Sequence, residues 1–397
     1  MKISGIICEY NPFHNGHLHH IRETRKNGAT HIVAVMSGNF VQRGDVAIMD
    51  KFTRAKTAVT CGADLVLELP VPYALGAAEV FARGAVSLLD NLCCVSELSF
   101  GSECGDIPLL QKAMEASAEC ADKPELEELL RLGNSYPKAL RILIRQNYGD
   151  AVSALFDTPN NVLAIEYLRA IDKLQASMQP FTVRRLVPHD AATITDDQTS
   201  ASHVRRMLLD GKQDYEKLIP AATAQSIRSC AASGNIARFI NLERVLLYRL
   251  RTATPEELLA SPEVAHGLEN KILAARNETS LDAMFAAIKS KRYTLSRLRR
   301  IMLHILLGIR KEHIATAPPY ARILALNERG SEILTAAKQA GSKLPCSTSP
   351  AKLAELNDIS CTIAELEAQA TAVYGLALGK IAPADADYRA KIAISKG

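Results

Sequence analysis

Short apolar segments rich in β-branched residues alternate with amphipathic helical patterns through the first half of this sequence. The apolar segments span residues 2–10, 30–37, 63–70, 96–102 and 181–187. Strands that are apolar on both faces and are separated by helices indicate a parallel sheet covered on both sides. The predicted fold class is therefore α/β, with a doubly wound parallel sheet.

The helical patterns predict how the chain is divided. Leu18 and Ile21 share one face of the first helix, and the second begins at Asp50, a suitable N-cap, and ends at Gly62. From about residue 106 to 150 only helical patterns occur, which we interpret as a helical excursion before the last strand. Beyond about residue 215 no strand pattern is found. We therefore expect two domains: a first domain over 1–215, which contains the sheet, and an α-helical domain over 216–397.

Composition restricts the class of protein. With 397 residues the chain exceeds one typical hydrophobic core, and it is 48% hydrophobic and 23% charged, without an apolar run that could cross a bilayer. Glu9, His14 and His17 interrupt the N-terminal apolar segment before it could act as a secretory signal, so a cytoplasmic location is expected. Nine cysteines without a CxxC pair or disulfide-scaffold spacing predict mostly buried thiols in a reducing compartment.

The stretch "EYNPFHNGHLHH", residues 9–20, follows the first strand. Ligands of a doubly wound sheet bind beyond the carboxyl ends of the strands, and the N-terminus of the next helix suits a phosphate. Gly16 has no Cβ, so a nucleoside can lie against the backbone there. His14 and His17 enter this helix three residues apart, and both imidazoles can stabilise charge on an α-phosphate and its pyrophosphate leaving group. This pattern predicts a nucleotide-activating loop.

Other interpretations of these histidines remain open at this point. A histidine pair at a helix start is often a solvated or capping feature. A zinc site formed by His14, His17 and His20 would lack a fourth partner. Mg²⁺ is possible as a companion of ATP phosphates, but no carboxylate cluster indicates a dedicated metal site, and none is predicted.

Two short motifs resemble the signatures of the nucleotidylyltransferase superfamily. "HNGH", residues 14–17, is similar to its HxGH signature, and "SASHVRRML", residues 200–208, is similar to the second signature at a helix start. In this resemblance Ser200 and Ser202 would cap the helix and, with Arg205, hold the β- and γ-phosphates.

Longer stretches narrow the resemblance to the tRNA(Met) cytidine acetate ligase family. The matching segments are 9–17, 36–56, 68–86, 100–103, 135–139, 159–171 and 291–309. The resemblance implies an ATP-dependent ligase that forms acetyl-adenylate and transfers the acetyl group to the exocyclic amine of the wobble cytidine of elongator tRNA(Met), giving N4-acetylcytidine. No acyl-enzyme is required, and no Ser-His-Asp or Cys-His arrangement is found.

The resemblance also implies site residues. His14 and His17 would be catalytic, and Gly101 would let adenine approach the backbone, although it also suits a plain turn. Asn161 would bind nucleotide, with Asn160 as the alternative, and only one of Arg184 and Arg185 is expected to face the site because strand residues alternate. The first loop would line ATP through Ile7, Cys8, Glu9, Tyr10, Asn11, Pro12, Phe13, His14, Asn15, Gly16, His17, Leu18, His19 and His20.

Basic residues suggest the RNA partner. The predicted tRNA contacts are Arg43, Lys51, Arg54, Lys289, Lys291, Arg292, Arg297, Arg299 and Arg300. A solvated loop and a solvated helix face are the alternatives, and Tyr293 would either stack on an unpaired base or belong to the core. Two other functions share the front domain: a small-molecule nucleotidylyltransferase with a helical appendage, and a non-catalytic RNA-binding relative.

Overall fold

A computed structural model of the chain describes residues 1–185, 199–265, 267–290 and 293–394. The central sheet has the strand order β10-β8-β5-β2-β1-β6-β7, with β9 paired to β8, and β3 and β4 form a separate hairpin. The strands are β1 (Ile3–Cys8), β2 (His31–Ser37), β3 (Phe40–Val41), β4 (Asp45–Val46), β5 (Leu65–Leu69), β6 (Glu97–Ser102), β7 (Gln179–Arg184), β8 (Ala321–Leu326), β9 (Cys346–Ser347) and β10 (Ala393–Ile394).

The five strands predicted from the sequence are confirmed, and they are parallel neighbours in the order β5-β2-β1-β6-β7. Residues 186–187 of the fifth predicted segment lie outside the described residues. Strands β1, β2 and β5 are buried along their whole length, as strands covered on both faces must be. The α/β fold class is confirmed.

Twenty α-helices surround the sheet in the described part of the chain. In chain order, α1 to α10 are Asn15–Lys26, Lys51–Thr60, Val71–Ala74, Ala78–Asn91, Ile107–Ala121, Pro124–Arg131, Tyr136–Tyr148, Asp150–Ala154, Pro159–Leu174 and Ala201–Leu209. Helices α11 to α20 are Ala221–Ala232, Glu243–Thr252, Pro255–Ala260, Leu268–Ala274, Leu281–Ile288, Leu295–Leu307, Glu328–Gln339, Pro350–Ala354, Asp358–Ala377 and Ala386–Arg389.

Local sequence signals explain several helix boundaries. Asp50 caps α2 as predicted, because its carboxylate accepts hydrogen bonds from the backbone N–H groups of Phe52 and Thr53. Helix α2 ends just before Gly62, which has φ of +113°. The predicted excursion over about 106–150 is also confirmed, since α5, α6 and α7 occupy 107–148.

The two faces of the sheet pack against different helices. Alternate residues of β1 and β6, such as Ile7 and Phe100, belong to a core shared with α4, α5 and α9. Ile6 and Cys8 belong instead to the core that includes Ile21 of α1 and residues of α2. The edge formed by the carboxyl ends of β1 and β6 therefore separates an α1 side from an α4/α9 side.

The C-terminal third returns to the sheet. Strand β8 pairs antiparallel with β5, so the expectation that no strand follows residue 215 is wrong. Its sequence "ARILAL" has one β-branched residue and no polar alternation, and such a short buried run does not distinguish strand from helix. The sheet thus contains strands from both sides of the predicted boundary.

Helices α12 to α16 and α19 form a second core, and α16 contacts the hairpin that follows β2. At Gly44, whose φ is +73°, a Cβ atom would lie 2.6 Å from the backbone nitrogen of Arg300. A side chain at this position would thus separate the hairpin from α16. The close approach holds the start of α16 beside the carboxyl edge of β1.

Two further expectations concern cysteines and membranes. All nine cysteines are free, but only Cys8, Cys120 and Cys230 are buried, so the prediction of mostly buried thiols is wrong. Among the described residues, no helix combines the length and the apolar character needed to span a bilayer.

Candidate active site

A cavity of about 620 Å³ opens at the carboxyl edge of β1 and β6. Its wall combines the loop after β1 with α4, the start of α9, the end of β7 and the starts of α10 and α16. The lining residues include Ile7, Cys8, Glu9, Tyr10, Asn11, His14, His17, His20, Gln42, Arg43, Phe81, Phe100, Gly101, Phe156, Asn160, Tyr167, Arg185, Ala201 and Thr294. A smaller adjoining cavity is lined by Gly16, His19, Arg184 and Thr199 together with several of the same residues.

His14 and His17 are held at the start of α1 by a reciprocal capping arrangement. Nδ1 of His14 accepts a hydrogen bond from the backbone N–H of Gly16 at 3.0 Å, and Nδ1 of His17 accepts from the backbone N–H of His14 at 3.2 Å. The two rings stack, with centroids 3.8 Å apart and planes at 30°. The capping interpretation is therefore correct, and the capping itself brings both rings to the cavity.

This arrangement fixes the chemistry that the histidines can perform. A ring nitrogen that accepts a hydrogen bond carries no proton, so in the neutral imidazole the proton lies on Nε2. Each ring therefore offers an Nε2–H donor, and α1 adds the positive end of its dipole. The site is suited to binding an anion and to stabilising negative charge that develops on it.

His20 has a different role from the other two histidines. Its Nε2 lies 2.9 Å from Oγ of Ser99, which in turn lies 2.7 Å from Oγ1 of Thr24. Burial, with a contribution from the positive charge of Arg185, lowers the pKa of His20 to about 3, so this ring is neutral. No group of three or more His, Cys, Asp and Glu suited to a metal ion is found among the described residues, which includes these histidines.

The second signature lies beside the first loop. Ser200 caps α10 by accepting a hydrogen bond from the backbone N–H of His203, and Ala201 lines the cavity. Arg205 donates from Nη1 to the carbonyl oxygen of Asn11 at 2.6 Å and from Nη2 to Oγ of Ser202 at 3.3 Å. The structure thus places Ser202 and Arg205 in contacts that fix the first loop, whereas the sequence predicted contacts to phosphate.

The structure distinguishes between the paired alternatives. Asn160 lines the cavity, while Oδ1 of Asn161 accepts the backbone N–H groups of Glu103 and Cys104 at 2.9 and 3.2 Å. Asn160 thus lies at the cavity and Asn161 in the wall behind it, and the assignment of Asn161 to nucleotide stays a prediction. Arg185 lines both cavities and Arg184 only the smaller one, and a Cβ atom at Gly101 would lie 3.4 Å from Cγ of Arg185. Gly101 therefore leaves space at the cavity wall beside Arg185.

Four residues of the predicted ATP-lining loop have other surroundings. Phe13 is buried in the core on the α1 side, and Leu18 packs against that core. The side-chain amide of Asn15 donates to the carbonyl oxygen of Lys217 at 3.1 Å. Pro12 is buried and does not line either cavity of this site. None of these four side chains lines either cavity of the site, and their contact with ATP stays a prediction.

Lys51 and Arg54 are removed from the predicted tRNA contacts by their burial. Lys51 is 0% exposed and lies 2.7 Å from Oε1 of Glu68 and 2.8 Å from Oδ1 of Asp387. Arg54 is 1% exposed, and its guanidinium donates to backbone carbonyls that include those of Glu9 and Ser37. Neither side chain can reach the backbone of an RNA, so these two predictions are corrected.

Some of the predicted tRNA contacts around the start of α16 also have structural contacts within the protein. Arg300 is 8% exposed and donates to both carboxylate oxygens of Glu263, which corrects its assignment to tRNA. Tyr293 is 6% exposed and belongs to the core, with the Arg297 guanidinium 5.2 Å from its ring. Lys289 is exposed, and Arg297, Arg299 and Arg43 are half-buried. Lys291 and Arg292 lie outside the described residues.

Sequence reasoning assigned no role to the aromatic part of the cavity wall. This part of the wall is formed by Phe81 of α4, Phe156, which precedes α9, and Tyr167 of α9. Thr294, just before α16, also lines the cavity. Phe81 and Tyr167 follow the apolar periodicity of helices that cover the sheet, so their pattern indicated only a core. Phe156, at the end of a short apolar run before Pro159, carried no distinguishing signal.

Comparisons with known proteins agree with this geometry. The family model of the HIGH Nucleotidyl Transferase matches residues 1–388. The tRNA(Met) cytidine acetate ligases of Alkaliphilus metalliredigens and of Thermoanaerobacter sp. strain X514 are each 38% identical to this chain, with 95% and 98% of both chains covered.

Two solved structures are similar over 100% of both chains. The apo form of Thermotoga maritima TmcAL has a TM-score of 0.92 at 29% identity, and the form bound with alpha-thio ATP has a TM-score of 0.90 at 28% identity. Fold, histidine geometry and relatives agree, and this chain belongs to the tRNA(Met) cytidine acetate ligase family of HIGH nucleotidyl transferases.

Proposed function

We propose that this chain is an ATP-dependent ligase that activates acetate as acetyl-adenylate and acetylates the exocyclic amine of the wobble cytidine of elongator tRNA(Met). The observation that carries the proposal is the stacked pair His14 and His17, which caps α1 and lines the cavity at the edge of β1. The relatives named above bear the name of this activity. ATP and acetate are the proposed small substrates.

In the first step an acetate oxygen attacks the α-phosphate of ATP, and the bond to the pyrophosphate leaving group breaks. The Nε2–H groups of His14 and His17 and the N-terminus of α1 stabilise the charge that builds on the phosphates. Arg185, which lines both cavities, adds a positive charge. Mg²⁺ arriving with ATP would be held by phosphate oxygens, since no carboxylate cluster suited to it is found among the described residues.

In the second step the cytidine amine attacks the carbonyl carbon of acetyl-adenylate. A carbon–nitrogen bond forms, the carbon–oxygen bond of the mixed anhydride breaks, AMP leaves and the amine loses one proton. The cytidine must be unstacked from the anticodon loop to reach the cavity. We assign tRNA binding to the helical part, with exposed Lys289 and half-buried Arg297 and Arg299 as contacts, together with half-buried Arg43 of the hairpin beside α16. The substrate places the enzyme in the cytoplasm.

The test is to incubate the purified chain with ATP, acetate and unmodified tRNA and to analyse the digested nucleosides by mass spectrometry. N4-acetylcytidine is expected, and it should disappear when acetate is omitted. His14→Ala should lower its formation by about 10²–10³-fold, the usual effect of removing one donor that stabilises transition-state charge.

Pyrophosphate exchange separates the other two candidate functions. Exchange that requires acetate supports the ligase. Exchange that ignores acetate and requires another acceptor would indicate a small-molecule nucleotidylyltransferase, and no exchange with intact RNA binding would indicate a non-catalytic relative.

A further inference from the structure

The cavity extends to both sides of the sheet edge. Gly16, His19 and His20 of α1, together with Arg184 and Arg185, surround its α1 side. Phe81 of α4, Phe156, and Leu163 and Tyr167 of α9 surround its α4/α9 side. Phe81, Phe156 and Tyr167 therefore form an aromatic wall on the α4/α9 side, while Arg184 and Arg185 lie with the α1 residues.

Glu9 lies on the aromatic side. It lines the cavity together with Phe81, Phe156 and Tyr167. Tyr167 of α9 provides independent support, because burial and, next, the negative charge of Glu9 raise the pKa of its hydroxyl group. Oε1 of Glu9 accepts the backbone N–H of Gln42 at 2.8 Å, which fixes the carboxyl group in the cavity wall.

These groups match the acceptor nucleobase and not the phosphates. Cytosine presents its N4 amine as a hydrogen-bond donor, and a carboxylate is the side chain that accepts from it. Aromatic side chains receive bases that have been unstacked from single-stranded loops. A carboxylate beside ATP phosphates would instead repel them. Burial raises the pKa of Glu9, against the opposing effects of the Gln42 N–H and nearby arginines, which makes it a stronger base.

We propose that the α4/α9 side of the cavity binds the wobble cytosine, with Phe156 as a stacking surface and Glu9 as the group that accepts the N4 proton during acetyl transfer. The amine nitrogen bonds to the acetyl carbon, the anhydride carbon–oxygen bond breaks with its electron pair leaving on AMP, and the released proton moves to the Glu9 carboxylate. This inference rests on the proposed ligase function and adds to it a nucleobase subsite and a catalytic residue.

The test separates the two half-reactions. Acetate-dependent pyrophosphate exchange without tRNA measures activation, and single-turnover acetylation of tRNA measures transfer. Glu9→Gln should lower transfer by about 10²–10⁴-fold, the usual contribution of a general base, and should lower exchange by a much smaller factor. The glutamine retains an oxygen that can accept the Gln42 N–H, so the wall should keep its shape. Equal losses in both half-reactions would overturn the proposal.

Phe156 tests the stacking surface separately. Phe156→Ala should raise KM for tRNA by about tenfold, because base–aromatic stacking contributes this much to binding, and should change KM for ATP in exchange by a smaller factor. Phe156→Tyr should restore binding, and Tyr388→Ala, an exposed aromatic outside the cavity, is the matched control. An unchanged KM in Phe156→Ala would contradict the stacking assignment.

A third measurement tests which base the proposed subsite prefers at the wobble position. An anticodon stem-loop with cytidine at the wobble position should bind wild type about tenfold more tightly than one with uridine, whose O4 offers no proton. Glu9→Gln should remove this preference, and a retained preference would place the reading group elsewhere. If wild type shows no acetate-dependent exchange, the proposed function itself fails. If wild type shows this exchange, the results for Glu9→Gln test the assignment of Glu9 alone.

Discussion

The sheet edge holds two groups of polar residues with different surroundings. At the ends of β1 and β6, His14, Glu9 and Arg185 face a cavity. At β5 and β8, the charged side chains of Lys51, Glu68, Arg322, Glu367 and Asp387 are covered by α19 and α20. The residue types are similar in both groups, so the covering elements, and not the composition, determine which group is accessible to ligands.

The charges of the covered group are balanced internally. Asp387 lies 2.8 Å from Lys51 and 2.5 Å from Arg322, and although burial opposes it, these two cations lower the pKa of Asp387 to about 2. Burial and the neighbouring charge of Glu68 raise the pKa of Glu367 well above its usual range, which favours its protonated form. Two cations thus face two carboxylates. The covered group therefore stabilises the packing of the helices on the sheet, whereas the polar groups of the cavity can bind a substrate.

The largest effect is expected when the covered group is broken. Lys51→Met removes one cation and leaves Arg322 to balance the carboxylates of both Glu68 and Asp387, so the free energy of unfolding should fall by about 3–5 kcal/mol. Urea unfolding measures the change. Acetate-dependent exchange per folded molecule should remain close to wild type, because Lys51 does not line the cavity.

Glu367→Gln is the matched control for that variant. The glutamine carbonyl can still accept the backbone N–H of Val71, which Glu367 accepts now, and it replaces a carboxyl group that is already neutral. The stability change should stay below about 1.5 kcal/mol. A loss as large as that of Lys51→Met would show that Glu367 is ionised.

A smaller effect is expected at Arg205, which supports the first loop of the cavity. Arg205→Gln removes a charged donor from the carbonyl oxygen of Asn11, and hydrogen bonds of this kind contribute about 1.5–3 kcal/mol. The kcat/KM of acetate-dependent exchange should fall by about 10- to 100-fold. Arg206→Gln changes an exposed neighbour on the same helix and should have no effect. Equal activities of the two variants would contradict the assignment of Arg205 to the loop.

Asn160 and Asn161 allow the same comparison between a residue that lines the cavity and one that is held in structural contacts. Asn161→Ala leaves the backbone N–H groups of Glu103 and Cys104 without their acceptor, so stability should fall by about 1–3 kcal/mol in urea unfolding. Asn160→Ala should leave stability within about 0.5 kcal/mol and raise KM for ATP. The reverse outcome would restore Asn161 as the nucleotide contact.

The smallest effect is expected at the exposed cations of the tRNA surface. Lys289→Gln should weaken tRNA binding by about two- to threefold and reduce the salt dependence of log K by about 0.7–0.9, the value of one lost phosphate contact. Filter binding at several salt concentrations measures both. An unchanged salt slope would return Lys289 to an ordinary solvated position.

The sequence alone predicted the parts of the molecule that depend on local patterns. The five parallel strands, the Asp50 cap and the helical excursion follow from hydrophobic period and turn residues, and the histidine loop follows from its position after β1. Strand β8 could not be recognised, because "ARILAL" acquires its strand conformation by pairing with β5. The burial of Lys51 also depends on distant elements, although Glu68 inside the buried run "LVLEL" was a signal that a buried cation must lie nearby.

The return of the chain to β5 has a consequence for biosynthesis. A ribosome delivers β1, β2 and β5 early, but β8 is residues 321–326 and Asp387 follows later still. Until these residues emerge, β5 exposes an unpaired edge and Lys51 has the carboxylate of Glu68 but not that of Asp387 as a partner. The domain that contains the sheet therefore cannot complete its strand pairing until nearly the whole chain has been made.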